Sequence, residues 1–179
     1  LPREVRSGDV LLGLPSSGLH TNGYSLARKV LFEEIGLALD DGLPDSVDTR
    51  SVGDILLEPH LTYLPVLGPL LGDEGLRALA HITGGGLTDN LPRILAPGLQ
   101  ARIEIGSWQV PEVFEIIERH GKVRAEEMRR VFNLGIGMVL VVGHDRADEI
   151  RDRLIHEGGG ALRIGEIEAG DEGVVYREA

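Results

Sequence analysis

Apolar and polar positions fall in blocks along the chain, and the period of the blocks changes. Asp9-Val10-Leu11-Leu12-Gly13-Leu14 follows a turn at Ser7-Gly8 and is ended by Pro15, the pattern of a short buried strand. A polar loop follows, Ser16-Ser17-Gly18-Leu19-His20-Thr21-Asn22-Gly23. From Tyr24 the spacing becomes helical: Leu26, Val30, Leu31 and Ile35 share one side, with Arg28, Lys29, Glu33 and Glu34 on the other. Gly36 is the expected C-terminal stop.

Residues 40–54 are polar and predict an irregular surface connection. Leu61-Thr62-Tyr63-Leu64, bracketed by Pro59 and Pro65, predicts a short strand, and Pro65 then opens a helix to about Leu71. Ala78-Leu79-Ala80-His81-Ile82 is a second buried run; it enters Thr83-Gly84-Gly85-Gly86 and then a helix over 87–95. Ala101, Ile103 and Ile105 alternate with Arg102 and Glu104, which predicts a half-exposed strand over 100–105. Residues 111–120 predict a helix with Val113, Phe114, Ile116 and Ile117 inward, and 125–132 a second, shorter one. Asn133-Leu134-Gly135-Ile136-Gly137 leads into 138–142, the most continuous apolar strand. A helix over 145–157 should bury Ile150, Leu154 and Ile155; Gly158-Gly159-Gly160 ends it, and 161–167 is the last strand. Strands and helices alternate, so the expected class is α/β (α+β): one domain over 1–179, with a mixed sheet and helices packed on its faces.

Composition narrows the function. With 18 basic and 29 acidic side chains the formal charge is −11, which argues against a nucleic-acid or anionic-membrane partner. No run of about 18 apolar residues predicts a membrane span. No basic segment followed by an apolar run marks a signal peptide, so the expected location is cytoplasmic. The absence of cysteine excludes disulfides, thiolate metal sites and cysteine nucleophiles. Glycine stands at 25 of 179 residues, about twice the usual share of ~7%, and its clusters mark the loops that matter.

A strand that ends in a glycine-rich loop and feeds a helix presents unpaired backbone N–H groups, a geometry that binds phosphate. The loop over 16–23 adds Ser16, Ser17, Gly18, Thr21 and Asn22, and the second adds Thr83, Gly84, Gly85 and Gly86. One such loop can be a tight connection and nothing more; two favour a phosphorylated ligand. They should lie together at one sheet edge, with the helix from Gly23 or Leu87 contributing its dipole. The bland alternative is that the hydroxyls only cap the helix. No Walker or dinucleotide fingerprint occurs. Among the six histidines, His120, His144 and His156 read as surface residues, and none pairs at metal-ligand spacing. His81 can be a core residue or face a ligand. His20, in the polar loop, is the candidate catalytic residue. Trp108 reads as a packing residue.

The segment Gly8-Asp9-Val10-Leu11-Leu12-Gly13-Leu14-Pro15-Ser16-Ser17-Gly18-Leu19-His20-Thr21-Asn22-Gly23-Tyr24-Ser25-Leu26 resembles the hallmark of the phosphoribosylformylglycinamidine cyclo-ligases, or aminoimidazole ribonucleotide synthetases. Ala80-His81-Ile82-Thr83-Gly84-Gly85-Gly86-Leu87 with Asn90-Leu91-Pro92-Arg93, and Phe132-Asn133-Leu134-Gly135-Ile136-Gly137-Met138, are similar to two further blocks of that family, in the same order. The likeness runs over about 8–168.

The resemblance implies a step of purine biosynthesis. Formylglycinamidine ribonucleotide is closed to 5-aminoimidazole ribonucleotide while ATP becomes ADP and phosphate. It implies a three-layer α/β/α domain with a mixed sheet, and it places Asn133 among the ligand-binding residues. It covers only the C-terminal half of such an enzyme. ATP and Mg2+ are expected to be held mainly by an N-terminal half that is not in this chain, with no metal site here. The implied partners are the nucleotide substrate, that N-terminal half, and a second copy in a full-length homodimer. The isolated chain is then expected to be inactive. The alternatives are the ATP-dependent formylglycinamidine ribonucleotide synthetase and a non-catalytic module for phosphate-ligand binding or dimerisation.

Overall fold

The computed structural model describes residues 4–171 and 173–178. Strands β1 (Val10–Pro15), β2 (Leu76–His81), β3 (Leu99–Ile105), β4 (Ile136–Val142), β5 (Leu162–Ala169) and β6 (Val174–Glu178) form one sheet in the order β2-β4-β1-β5-β3-β6. Neighbours are antiparallel except β3 and β6, which run parallel, so the sheet is mixed. The two most continuous apolar runs, β1 and β4, lie side by side in its interior, where both faces of a strand are covered.

Helix α1 (Tyr24–Arg28) runs on as a π-helical stretch, Lys29–Glu34, and Gly36 in a left-handed conformation follows. The other helices are α2 (Val52–Leu56), α3 (Leu64–Leu67), α4 (Gly86–Asn90), α5 (Glu112–Gly121), α6 (Ala125–Val131) and α7 (Ala147–His156). One sheet face carries Leu12, Leu14 and Leu140 and packs against Leu67 of α3 and Ile150 and Leu154 of α7. The opposite face carries Leu11, Ala80, Val139 and Ile164 and packs against Leu87 of α4 and against Leu91. The result is the expected three-layer α/β/α arrangement. A further cluster joins α1, α2, α5 and α6 around Phe114 and Phe132, whose rings are 5.3 Å apart.

Several elements differ from the sequence reading. Residues 61–64 form no strand: Leu61 and Leu64 are exposed, no sheet edge reaches them, and Leu64 already begins α3. The connection over 40–54 contains the start of α2, where Ser51 and Asp54 make a reciprocal capping box. The helix after Gly86 is α-helical only to Asn90 and continues as a 3₁₀ turn, Leu91–Ile94; Pro92 lacks the N–H that an α-helix needs there. Strand β3 is covered on both edges, because β6, which the pattern did not single out, pairs with it. Ile155 is 51% exposed, whereas Ala147, Ile150 and Leu154, spaced three and four apart, form the inward stripe.

That stripe gives a direct test of the layer assignment. Leu154→Ala should lower stability by about 2–5 kcal/mol, and Ile155→Ala, on the solvent side, by no more than about 0.5 kcal/mol. Urea denaturation of both variants measures the difference. Equal losses would contradict the packing of α7.

Candidate functional site

Strands β1 and β2 pair antiparallel with opposite sides of β4, so they run in the same direction and end at one sheet edge. The loops that follow them are therefore neighbours. A Cβ built on Gly84 would sit 3.3 Å from Asn22 Oδ1, so the second loop approaches the first closely.

The first loop is held by buried polar groups. The Ser16 N–H donates to the Gly135 carbonyl at 2.8 Å. Asn133, buried, donates through Nδ2 to the Gly18 carbonyl at 2.9 Å and accepts the Gly135 N–H at 2.8 Å. Ser16 Oγ lies 3.0 Å from the Gly18 carbonyl and 3.1 Å from Asn133 Oδ1, so its one proton serves either. The Ser17 hydroxyl donates to the Pro59 carbonyl at 2.7 Å. No side chain caps α1; left-handed Gly23 precedes it, so the helix-capping alternative for these hydroxyls does not hold. Among the described residues, the exposed Thr21 hydroxyl has no protein partner.

His20 is 3% exposed and sits at φ 55, a conformation uncommon for a residue with a side chain. Its Nε2 accepts the Ser17 N–H at 3.1 Å, which places the proton of a neutral ring on Nδ1. Nδ1 is buried without a partner. The ring stacks on His60 at 3.8 Å, and His60 Nε2 lies 3.1 Å from Nε2 of His81, which is exposed. Burial, then the charges of His60 and His81, lower the His20 pKa to about 4. Burial and His60 lower that of His81 too. Tyr63 closes the group: its hydroxyl donates to the Pro15 carbonyl at 2.7 Å, and burial raises its pKa. The group fits over β4 because residue 137 is glycine; a Cβ there would strike the Tyr63 hydroxyl and the His20 ring.

The three glycines of the second loop have different duties. Gly86 has φ 57, and a Cβ on it would run into the carbonyls of Arg129 and Phe132, so it lets α4 pack against α6. Gly85, at φ 102, precedes α4. Gly84 is exposed, and among the described residues the N–H groups of Gly84 and Gly85 donate to no protein acceptor. Buried Asn90 fixes the loop, donating to the Gly86 carbonyl at 2.8 Å, while the Thr83 hydroxyl lies 3.2 Å from Asn90 Oδ1. Helix α4 has only five α-helical residues, whereas α1 continues without a break into the π-helical stretch Lys29–Glu34.

The edge thus gathers Thr21, Asn22, Gly84, Gly85 and His81 as groups open to a ligand, on a frame of Ser16, Ser17, Gly18, His20, Thr83, Gly86 and Asn133. Sequence reasoning missed His60 and Tyr63, which carry no spacing signal. It also missed the work of Asn90, whose position four residues after Gly86 on one helical face is a legible cue. Trp108 packs as expected and donates to the Leu134 carbonyl at 2.8 Å. Among the described residues no three His, Asp or Glu side chains cluster so as to hold a metal ion. No helix among them is long and apolar enough to cross a membrane.

Residues 6–178 match the family model described as AIR synthase related protein, C-terminal domain. The chain is 48% identical to a phosphoribosylformylglycinamidine cyclo-ligase of Bifidobacterium animalis subsp. lactis, over 91% of this chain and 47% of the relative. It is 46% identical to one from Caldanaerobacter subterraneus subsp. tengcongensis, over 94% of this chain and 49% of the relative. The chain therefore spans about half the length of the curated relatives it matches. A crystal structure of the hydrogenase maturation protein HypE from E. coli shares the fold: TM-score 0.60 and 21% identity over 97% of this chain and 48% of that one.

The buried imidazole makes stability depend on pH. The unfolded His20 binds a proton below about 6.5, while the folded one does so only near 4. Its contribution is therefore complete above about pH 6.5 and is lost as pH falls toward 4, on the order of 3 kcal/mol. Denaturation of the native chain and of His20→Asn from pH 7 to 4 should show a shallower decline in the variant; asparagine tolerates the left-handed backbone. Parallel declines would refute the assignment.

Proposed function

The chain belongs to the family of AIR synthase related C-terminal domains, and on that premise we propose that it is the C-terminal half of a phosphoribosylformylglycinamidine cyclo-ligase. The reaction is the ATP-dependent closure of formylglycinamidine ribonucleotide to 5-aminoimidazole ribonucleotide. An N-terminal half supplies the ATP and Mg2+ sites, and the full-length enzyme works as a homodimer in the cytoplasm. The observation that carries this reading is the convergence at one sheet edge of three segments far apart in sequence, 16–23, 81–86 and 133–137. The names of relatives at 46–48% identity support the same reaction.

In the proposed division of labour, the free amides of Gly84 and Gly85, with Thr21 and Asn22, bind the substrate phosphate. Local donors must do this, because the acidic chain gives a phosphate no long-range attraction. ATP delivers its γ-phosphoryl group to the formyl amide oxygen. The amidine nitrogen attacks the carbon that carries it, that carbon–oxygen bond breaks, and inorganic phosphate leaves with the oxygen. The attacking nitrogen must also lose a proton. His20 is a weak base, with its Nε2 engaged by Ser17, so we assign it to shaping the loop. The exposed His81, bonded to His60, is the better-placed acceptor. Such a reaction is driven by positioning and charge stabilisation more than by strong acid–base catalysis.

A cyclisation assay tests the assignment. The isolated chain should form no aminoimidazole ribonucleotide, and adding the N-terminal half in trans should restore product. Activity of the isolated chain, or none from the reconstituted pair, would overturn it. Thr21→Ala, which breaks no protein hydrogen bond, should weaken binding of the nucleotide substrate about tenfold with an unchanged melting temperature. Calorimetric titration and a melt of the same sample read both quantities.

A further inference from the structure

A second place on the molecule, beyond the loops assigned above, gathers several arginines. A cleft of about 1070 Å³ runs between α6 and the edge strand β6, floored by Thr88 of α4. Arg124, Arg129, Arg130 and Arg177 line it. Four guanidinium groups around one cleft are unexpected in a chain with a formal charge of −11.

Three of these arginines make no ion pair within the protein: among the described residues there are fifteen ion pairs, and none includes Arg124, Arg129 or Arg130. Arg177 reaches Glu168 only at 3.9 Å. The carboxylates of Glu126 and Glu127 border the same cleft without pairing with Arg124, Arg129 or Arg130. Arg129 is held in place instead by the ring of Tyr176, with its guanidinium carbon 4.5 Å from the centroid. The Tyr176 hydroxyl is fixed in turn by the Thr88 hydroxyl at 2.8 Å. A guanidinium anchored on an aromatic face keeps its N–H fork free for an oxyanion and has little rotamer freedom left to lose on binding.

We propose that this cleft binds a compact, multiply charged phosphate compound, at a site separate from the loops after β1 and β2. Guanidinium groups pair with phosphate oxygens through two parallel hydrogen bonds, and several such groups suit a pyrophosphate unit better than a single carboxylate. Compactness follows from the surroundings: a long polyanion would continue past the cleft onto an acidic surface and be repelled, whereas a small one stays within reach of the arginines.

Pyrophosphate is the probe. Calorimetric titration of the chain at low ionic strength should show saturable binding that weakens as salt is raised. In Arg124→Ala/Arg130→Ala, two exposed positions, affinity should fall about tenfold or more with the melting temperature unchanged. The control pair Arg28→Ala/Lys29→Ala, exposed on α1 and its π-helical continuation, should bind as the native chain does. Absence of saturable binding at millimolar pyrophosphate would overturn the proposal. So would unchanged affinity in the double variant, and binding that disappears in Thr21→Ala instead would return the anion to the loops. Self-association of the native chain that the arginine pair abolishes, without pyrophosphate binding, would make the cleft a protein contact instead.

Discussion

The arrangement depends on the pairing of β4 with two strands at once. Because β1 and β2 are both antiparallel to β4, they are parallel to each other, and their C-terminal ends meet at one edge. A loop placed after either strand is delivered to the same spot, whatever its own sequence. The register also matters at one residue: Gly137 of β4 leaves the volume that the His20 ring and the Tyr63 hydroxyl occupy. A side chain there would push the histidine out of its stack with His60 and break the link from the buried loop to exposed His81.

Around that edge, buried polar groups do structural work so that others can stay free. Asn133 and Asn90 are both nearly enclosed, and each ties a loop to itself through backbone carbonyls. Leaving such an amide unpaired in the interior would cost about 1–3 kcal/mol, so these contacts hold the loops in one shape. Among the described residues, the groups left without partners here are the hydroxyl of exposed Thr21 and the amides of exposed Gly84 and half-buried Gly85. His20 stands between the two classes. It bonds to its own loop through one nitrogen and keeps the other buried and unpaired. Its neutrality is the cheaper state there, since a charge would be desolvated beside two other imidazoles.

Charge acts locally on this molecule. The formal charge is acidic, yet free amides gather at one edge, and Arg124, Arg129 and Arg130 stand in the cleft between α6 and β6 with no ion pair among the described residues. Both places are near α4, whose first turn begins at the glycine loop and whose Thr88 floors the arginine cleft. Gly86 joins them mechanically, because its contact with the carbonyls of Arg129 and Phe132 presses α4 onto α6.

The sequence by itself determined the class of fold, most elements and the two loops, because those follow from local periodicity and from where glycine and proline interrupt it. It determined the family through three contiguous blocks of residues. It could not give β6, whose short apolar run Val174-Val175-Tyr176 becomes a strand only when β3 offers an open edge. It could not give the orientation of Ile155, which depends on the side of α7 that meets the sheet. Nor could it give the histidine group. His20, His60 and His81 stand 40 and 21 residues apart in the chain, and no spacing rule joins them. Only the tertiary structure decides such a contact, because side chains from three segments meet where strand direction and packing bring their backbones together.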